Sequence, residues 1–202
     1  MRAVISRIVV AGVLLGCAVV AIARTLPPTP VGPDATADRF SAVRAARVVE
    51  KIAAVPRPTG SRELAAARAA VLAELAALRI EAWERPNGDL VNIVGRLVGT
   101  ATTDAVLLTA HLDSTPDSPG AMDDASGVAA ILETVRALAA DGPSRNTVLV
   151  LFTDHEEGGL FGARAFIARD PWAARRPGPG GSPRSGWRPT PSLPAMRSGG
   201  AW

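Results

Sequence analysis

The chain has 202 residues, of which 48% are hydrophobic, 4% aromatic and 20% charged, with a formal net charge of +3. That balance excludes a chain disordered throughout, and the single cysteine, Cys17, excludes an intramolecular disulfide or a cysteine-built metal centre. The arginines are scattered along helix-like segments and do not interleave with aromatics, which speaks against a nucleic-acid groove despite the basic balance.

Residues 1–24 carry Arg2 and Arg7 and then sixteen uncharged residues from Ile8 to Ala23. The run predicts a signal anchor or a signal peptide, with Ala21-Ile22-Ala23 as a small-residue cleavage site. The basic flank places the rest of the chain on the extracytoplasmic side, membrane-anchored or exported. Residues 25–38, "TLPPTPVGPDATAD", read as a Pro-rich exposed linker.

Residues 39–170 alternate helical and strand patterns. "RFSAVRAARVVEKIAA" has helical spacing of Phe40, Val43, Ala46 and Val48, and "VPRPTGS" breaks it. Ser61 caps an Ala- and Leu-rich helix running to about Arg79. "EAWE" and "LVNIVGRLVG" read as strands on either side of "NGD", and "AVLLTAHLD" and "NTVLVLFTD" as buried strands. "ASGVAAILETVRALAADG" reads as an amphipathic helix from about Ser126 to Gly142, and "LFGARAFIARD" as a helix after the last strand. The expected fold class is α/β: a partial three-layer sandwich, with a mostly parallel mixed sheet covered by helices.

The chain's two histidines fall in two acidic clusters, each at the carboxyl end of a predicted strand, where functional loops of such sheets lie. His111 is followed by Asp113, which alternation puts on the same face of an extended segment, and then by Asp123 and Asp124 after Gly120. Asp154, Glu156 and Glu157 surround His155. Two readings fit these residues. Carboxylates cap helices and solvate loops; equally, a cation relieves the repulsion between adjacent acids. Under the second reading, one of the two glutamates binds metal and its neighbour takes a proton from water.

"HLD" at 111–113, "PGAMDDASG" at 119–127 and "EEGGLFG" at 156–162 together resemble the M28 family of zinc metallopeptidases, in particular its aminopeptidase-like, membrane-associated bacterial members. The resemblance spans roughly residues 39–170. It implies zinc-dependent hydrolysis of N-terminal peptide bonds on a zinc-exopeptidase-like fold, with a peptide or small amide as substrate. It also implies His111, Asp123 and Glu157 as zinc ligands, Asp123 bridging two ions. Glu156 would be the general base, Asp113 the partner of His111, and Asp124 a shaper of the bridging loop. His155 receives no role from it. Glutaminyl cyclisation on the same scaffold, and a membrane-anchored non-catalytic binding module, are the alternatives. The family's two-ion site calls for two more ligands, a later acid and a distant histidine. Residues 171–202 contain neither, and read as a Pro/Gly/Arg-rich disordered tail of a truncated or frameshifted chain. The expectation is therefore a chain with weak zinc occupancy that is inactive or very poor as an enzyme, because two ligands are missing.

Overall fold

The computed structural model describes residues 2–27, 29–101 and 105–170, as two compact units that divide after Val31. The expected tail at 171–202 lies outside the described residues.

The first unit holds one helix, α1 (Arg2–Thr25), whose side chains from Ile8 to Ala23 are uncharged and exposed. Its Arg7–Thr25 stretch has a mean hydropathy of 2.3 and is long and apolar enough to cross a membrane, by length and composition. At 1.5 Å per residue the 24-residue helix reaches about 36 Å, against about 30 Å of bilayer hydrocarbon.

The second unit begins with α2 (Ala42–Ile52) and α3 (Arg62–Ala77). Both start at serines whose hydroxyls take up otherwise unpaired amides: Ser41 accepts from Arg44 N at 3.3 Å and Ser61 from Leu64 N at 3.0 Å. Then come β1 (Glu81–Asn87), β2 (Leu90–Leu97), β3 (Ala105–His111), α4 (Ser126–Asp141), β4 (Thr147–Thr153) and α5 (Phe161–Arg169).

The strands form one sheet in the order β1-β2-β4-β3. The sheet is mixed, as expected, but two of its three pairings are antiparallel: β1 with β2, and β2 with β4. The reason for the first is local. Asn87 pairs with Leu90 across a two-residue turn whose Gly88 has φ +64°, and so tight a connection can only reverse the chain. The parallel pairing is β3 with β4, joined through α4. Among the described strands β3 is at the edge, and its Val106 and Leu107 are nearly half exposed.

Alternation along the strands makes three layers. Ile93, Val148, Val150 and Phe152 pack with Leu64, Val71 and Leu75 of α3 and Val128, Leu132 and Val135 of α4. On the opposite face Val94 and Leu151 meet Phe166 of α5.

The stretch expected as an exposed linker is tied down in its second half. Arg44 donates to the carbonyls of Pro33, Ala35 and Arg39, and Arg136 to those of Ala37 and Arg39. Buried Glu133 holds both arginines, accepting from Arg44 Nε at 3.1 Å and Arg136 Nε at 2.7 Å, and it also accepts from the Ser41 amide at 2.7 Å.

Candidate metal centre

Parallel register decides where the site forms. His111 at the end of β3 lies opposite Thr153 at the end of β4, so the segments after both strands emerge at the same end of the sheet. The antiparallel β2 begins there too. Its Val91 amide donates to Asp154 Oδ2 at 3.0 Å, and its Asn92 Oδ1 accepts from the Asp154 amide at 3.0 Å. Thr59 Oγ1 donates to Asp154 Oδ1 at 2.9 Å. Asp154 is buried and spends its carboxylate on structure.

The turn Ala121–Ala125 delivers the acidic pair. Gly120, before it, has φ +59°, and a Cβ there would stand 2.4 Å from the Asp123 carbonyl oxygen, so the turn requires glycine. The Asp123–Asp124 peptide bond is cis. Asp124 turns inward: Oδ2 accepts from the His111 amide at 3.3 Å and Oδ1 from the Gly127 amide at 3.0 Å, capping the start of α4. Asp123 turns outward with its side chain 82% exposed.

Donor atoms of His111, Asp123 and Glu157 lie within 4.8 Å of one another. These are the three residues expected as metal ligands. His111 Nε2 is 2.9 Å from Asp123 Oδ1 and 3.7 Å from Glu156 Oε2. Its Nδ1 is 3.0 Å from the Asp113 carbonyl oxygen, to which an Nδ1–H donates, leaving Nε2 facing the carboxylates. Burial disfavours the imidazolium, yet hydrogen bonds to Asp113 and Asp123 and the charges of Asp113 and Glu156 overcome it and raise the pKa to about 9. Nε2 thus faces the place between histidine and acid that a cation would take. One imidazole, two carboxylates and an outward opening fit a divalent ion such as zinc.

Asp113 contacts His111 and also ties the two loops together. Its carboxylate is 3.6 Å from His111 Nδ1, a longer approach than its two amide contacts. Oδ1 accepts the Glu156 amide at 3.0 Å and Oδ2 the Glu157 amide at 3.2 Å. Burial opposes the charged carboxylate, while His111 and the two amides hold its pKa below the usual range. Asp113 thereby fixes the backbone of the β4-end loop against the β3-end loop. His155 takes a left-handed φ of +59°, and its ring lies 5.0 Å from that of Phe161. It lines an open cleft of about 910 Å³ together with Thr59, Gly60, Arg62, Arg68 and Phe161. The three donors do not line that cleft.

Sequence reasoning missed Arg57. It is fully buried and donates to the carbonyls of Leu112, Pro119 and Gly120 around the acidic turn. Its only sequence signal was a charged residue between two prolines in a presumed loop.

Residues 92–176 match the sequence profile of peptidase family M28. Over that stretch the chain is similar to peptidase family M28. The chain is 45% identical over 82 residues to a vacuolar membrane protease of Candida albicans (strain WO-1), covering 40% of this chain and 10% of that protein. Among solved structures, a glutaminyl cyclase from Porphyromonas gingivalis superposes with a TM-score of 0.59 at 26% identity, covering 67% of this chain and 55% of that one. A Zn-dependent exopeptidase from Parabacteroides distasonis gives a TM-score of 0.51 at 24% identity, covering 60% and 49%. The chain thus spans about a tenth of the curated M28 relatives it matches and about half of these solved structures.

Proposed function

We propose that this chain is an M28-type peptidase built for zinc-dependent hydrolysis of N-terminal peptide bonds, with His111, Asp123 and Glu157 holding zinc and Glu156 as general base. The observation that carries the reading is the meeting of those three donors at one end of the sheet. Three protein donors with an open side match the ligand count of a catalytic zinc. Bound there, zinc supplies Lewis acidity toward the scissile carbonyl. Glu156 takes the proton of the attacking water and returns it to the departing amine. Its position near His111 Nε2 sets it beside the donors, and Asp113 holds its backbone in place. His111 is kept in one tautomer by the Asp113 carbonyl.

The likeness to a glutaminyl cyclase supports a second reading, in which the same centre closes an N-terminal glutamine onto its own amine. The apolar α1, together with the membrane-protease relative, supports attachment to a membrane. The test is zinc content of the purified chain, with release from an aminoacyl chromogenic amide measured beside cyclisation of a glutaminyl peptide. The reading expects weakly bound zinc that is lost in His111→Ala and Asp123→Ala, and amide hydrolysis that is slow, in keeping with the two missing ligands, yet exceeds cyclisation. A chain that binds no zinc, or cyclises only, overturns it.

A further inference from the structure

Among the described residues Arg57 is the largest fully buried side chain, and its three guanidinium hydrogen bonds there go to backbone carbonyls. Nε donates to the Leu112 carbonyl at 2.5 Å, directly after β3. Nη1 donates to the Pro119 carbonyl and Nη2 to that of Gly120 at 3.2 Å, directly before the acidic turn. One rigid planar group therefore joins the two ends of the 112–120 loop. The Arg57 backbone adds a second tie. Its amide donates to Ser114 Oγ at 2.9 Å, its carbonyl accepts from the Ser114 amide at 3.3 Å, and Ser114 Oγ lies 2.9 Å from the Ser118 carbonyl oxygen. Pro56 and Pro58 restrict the backbone on both sides. Burial disfavours the charge, but Asp113, Asp124 and Glu157 all oppose that loss. The cation lies close to the acidic centre and is spent on carbonyls instead of on any one carboxylate.

We propose that Arg57 is a positioning residue of the metal centre: by clamping Leu112 to Pro119 and Gly120 it fixes the turn that presents Asp123 to His111. This rests on the zinc reading for its consequence, though not for the clamp itself. Lysine cannot reproduce the clamp, because an ammonium is a single point of charge without the planar fork that spans separate acceptors. Losing the fork leaves buried carbonyls unpaired and the loop free to shift.

The experiment uses the full 202-residue chain in mild detergent, cobalt(II) alone as the metal probe followed by its visible absorption, amide hydrogen exchange and thermal unfolding. Arg57→Lys is compared with Leu75→Ala, which opens a cavity in α3 away from the turn. Arg57→Lys is expected to weaken cobalt binding by about tenfold or more, the usual size of an outer-shell effect. It should also speed exchange over residues 111–127 selectively. Leu75→Ala is expected to lower the unfolding temperature while cobalt affinity stays near wild type. Wild-type affinity and exchange in Arg57→Lys overturn the proposal, and so does an equal loss of affinity in Leu75→Ala. If Arg57→Lys does not fold, Ser114→Ala decides: several-fold weaker cobalt binding supports the clamp, and unchanged binding overturns it. If the wild type binds no cobalt, the zinc reading fails by itself. Exchange then judges the clamp: acceleration confined to 111–127 supports it, and acceleration spread over the whole unit overturns it.

Discussion

The carboxylate of Asp113 accepts the amide of Glu156 at 3.0 Å through one oxygen while its other oxygen takes the amide of Glu157 at 3.2 Å. One buried acid therefore sets the places of both glutamates, one proposed to bind metal and the other to move a proton. Asp113→Asn keeps the size but turns one acceptor into a donor facing an N–H. Turnover is expected to fall by about 10- to 100-fold with a small change in KM. Single-turnover and steady-state kinetics on an aminoacyl amide check this; a change in KM alone would show that the glutamates do not need the clamp.

Glu156 and Glu157 are neighbours with separate assigned tasks, so their isosteric variants should part company. Glu156→Gln is expected to keep its zinc and lose about 10²- to 10⁴-fold in kcat, the usual share of a general base. Glu157→Gln is expected to lose zinc first. Metal analysis of the two dialysed proteins distinguishes them, and the opposite pattern would exchange their roles.

Gly120→Ala tests the turn itself. A Cβ there meets the Asp123 carbonyl at 2.4 Å and Ser114 Cβ at 2.8 Å, in a left-handed conformation at φ +59°. The expected cost is about 1–3 kcal/mol of stability from the backbone alone. Metal affinity should drop with it, because the displaced atoms carry Asp123. Denaturant unfolding beside zinc titration measures both.

Glu133 gives a pH signature away from the metal centre. Burial opposes its charge, but Arg136, the Ser41 amide and Arg44 outweigh this and hold its carboxyl below the usual range. A group depressed in the folded state contributes stability above its unfolded pKa, near about 4.3, and loses it as pH falls through the lower folded value. Glu133→Gln is expected to cost about 3 kcal/mol at pH 7, as for a broken buried pair. The gap from wild type should narrow below about pH 4. A gap that stays constant between pH 7 and pH 3 would contradict the assignment.

Much of this centre was legible because short apolar runs announce buried strands, and the residues just beyond two such runs, His111 to Asp113 and Asp154 to Glu157, hold both of the chain's histidines. Ser61 announced α3, and Gly142 the end of α4. The balance of strand directions was harder to read, since a short apolar run looks the same in either orientation; only the Asn87-Gly88-Asp89 turn encoded the reversal. Asp113 was placed on the His111 face by alternation. The strand ends at His111 and the chain then bends, so that the Asp113 carbonyl meets the imidazole while its carboxylate, 3.6 Å from Nδ1, also reaches the glutamate amides. Arg57 was illegible for a related reason: its acceptors are carbonyls 55 to 63 residues away, which no spacing in the sequence records.

Because β3 stands at the rim among the described strands and terminates in His111, a strand laid alongside it in the same direction would deliver its own last residue next to that imidazole. Extending the sheet and adding a donor to the metal centre would then be a single geometric event.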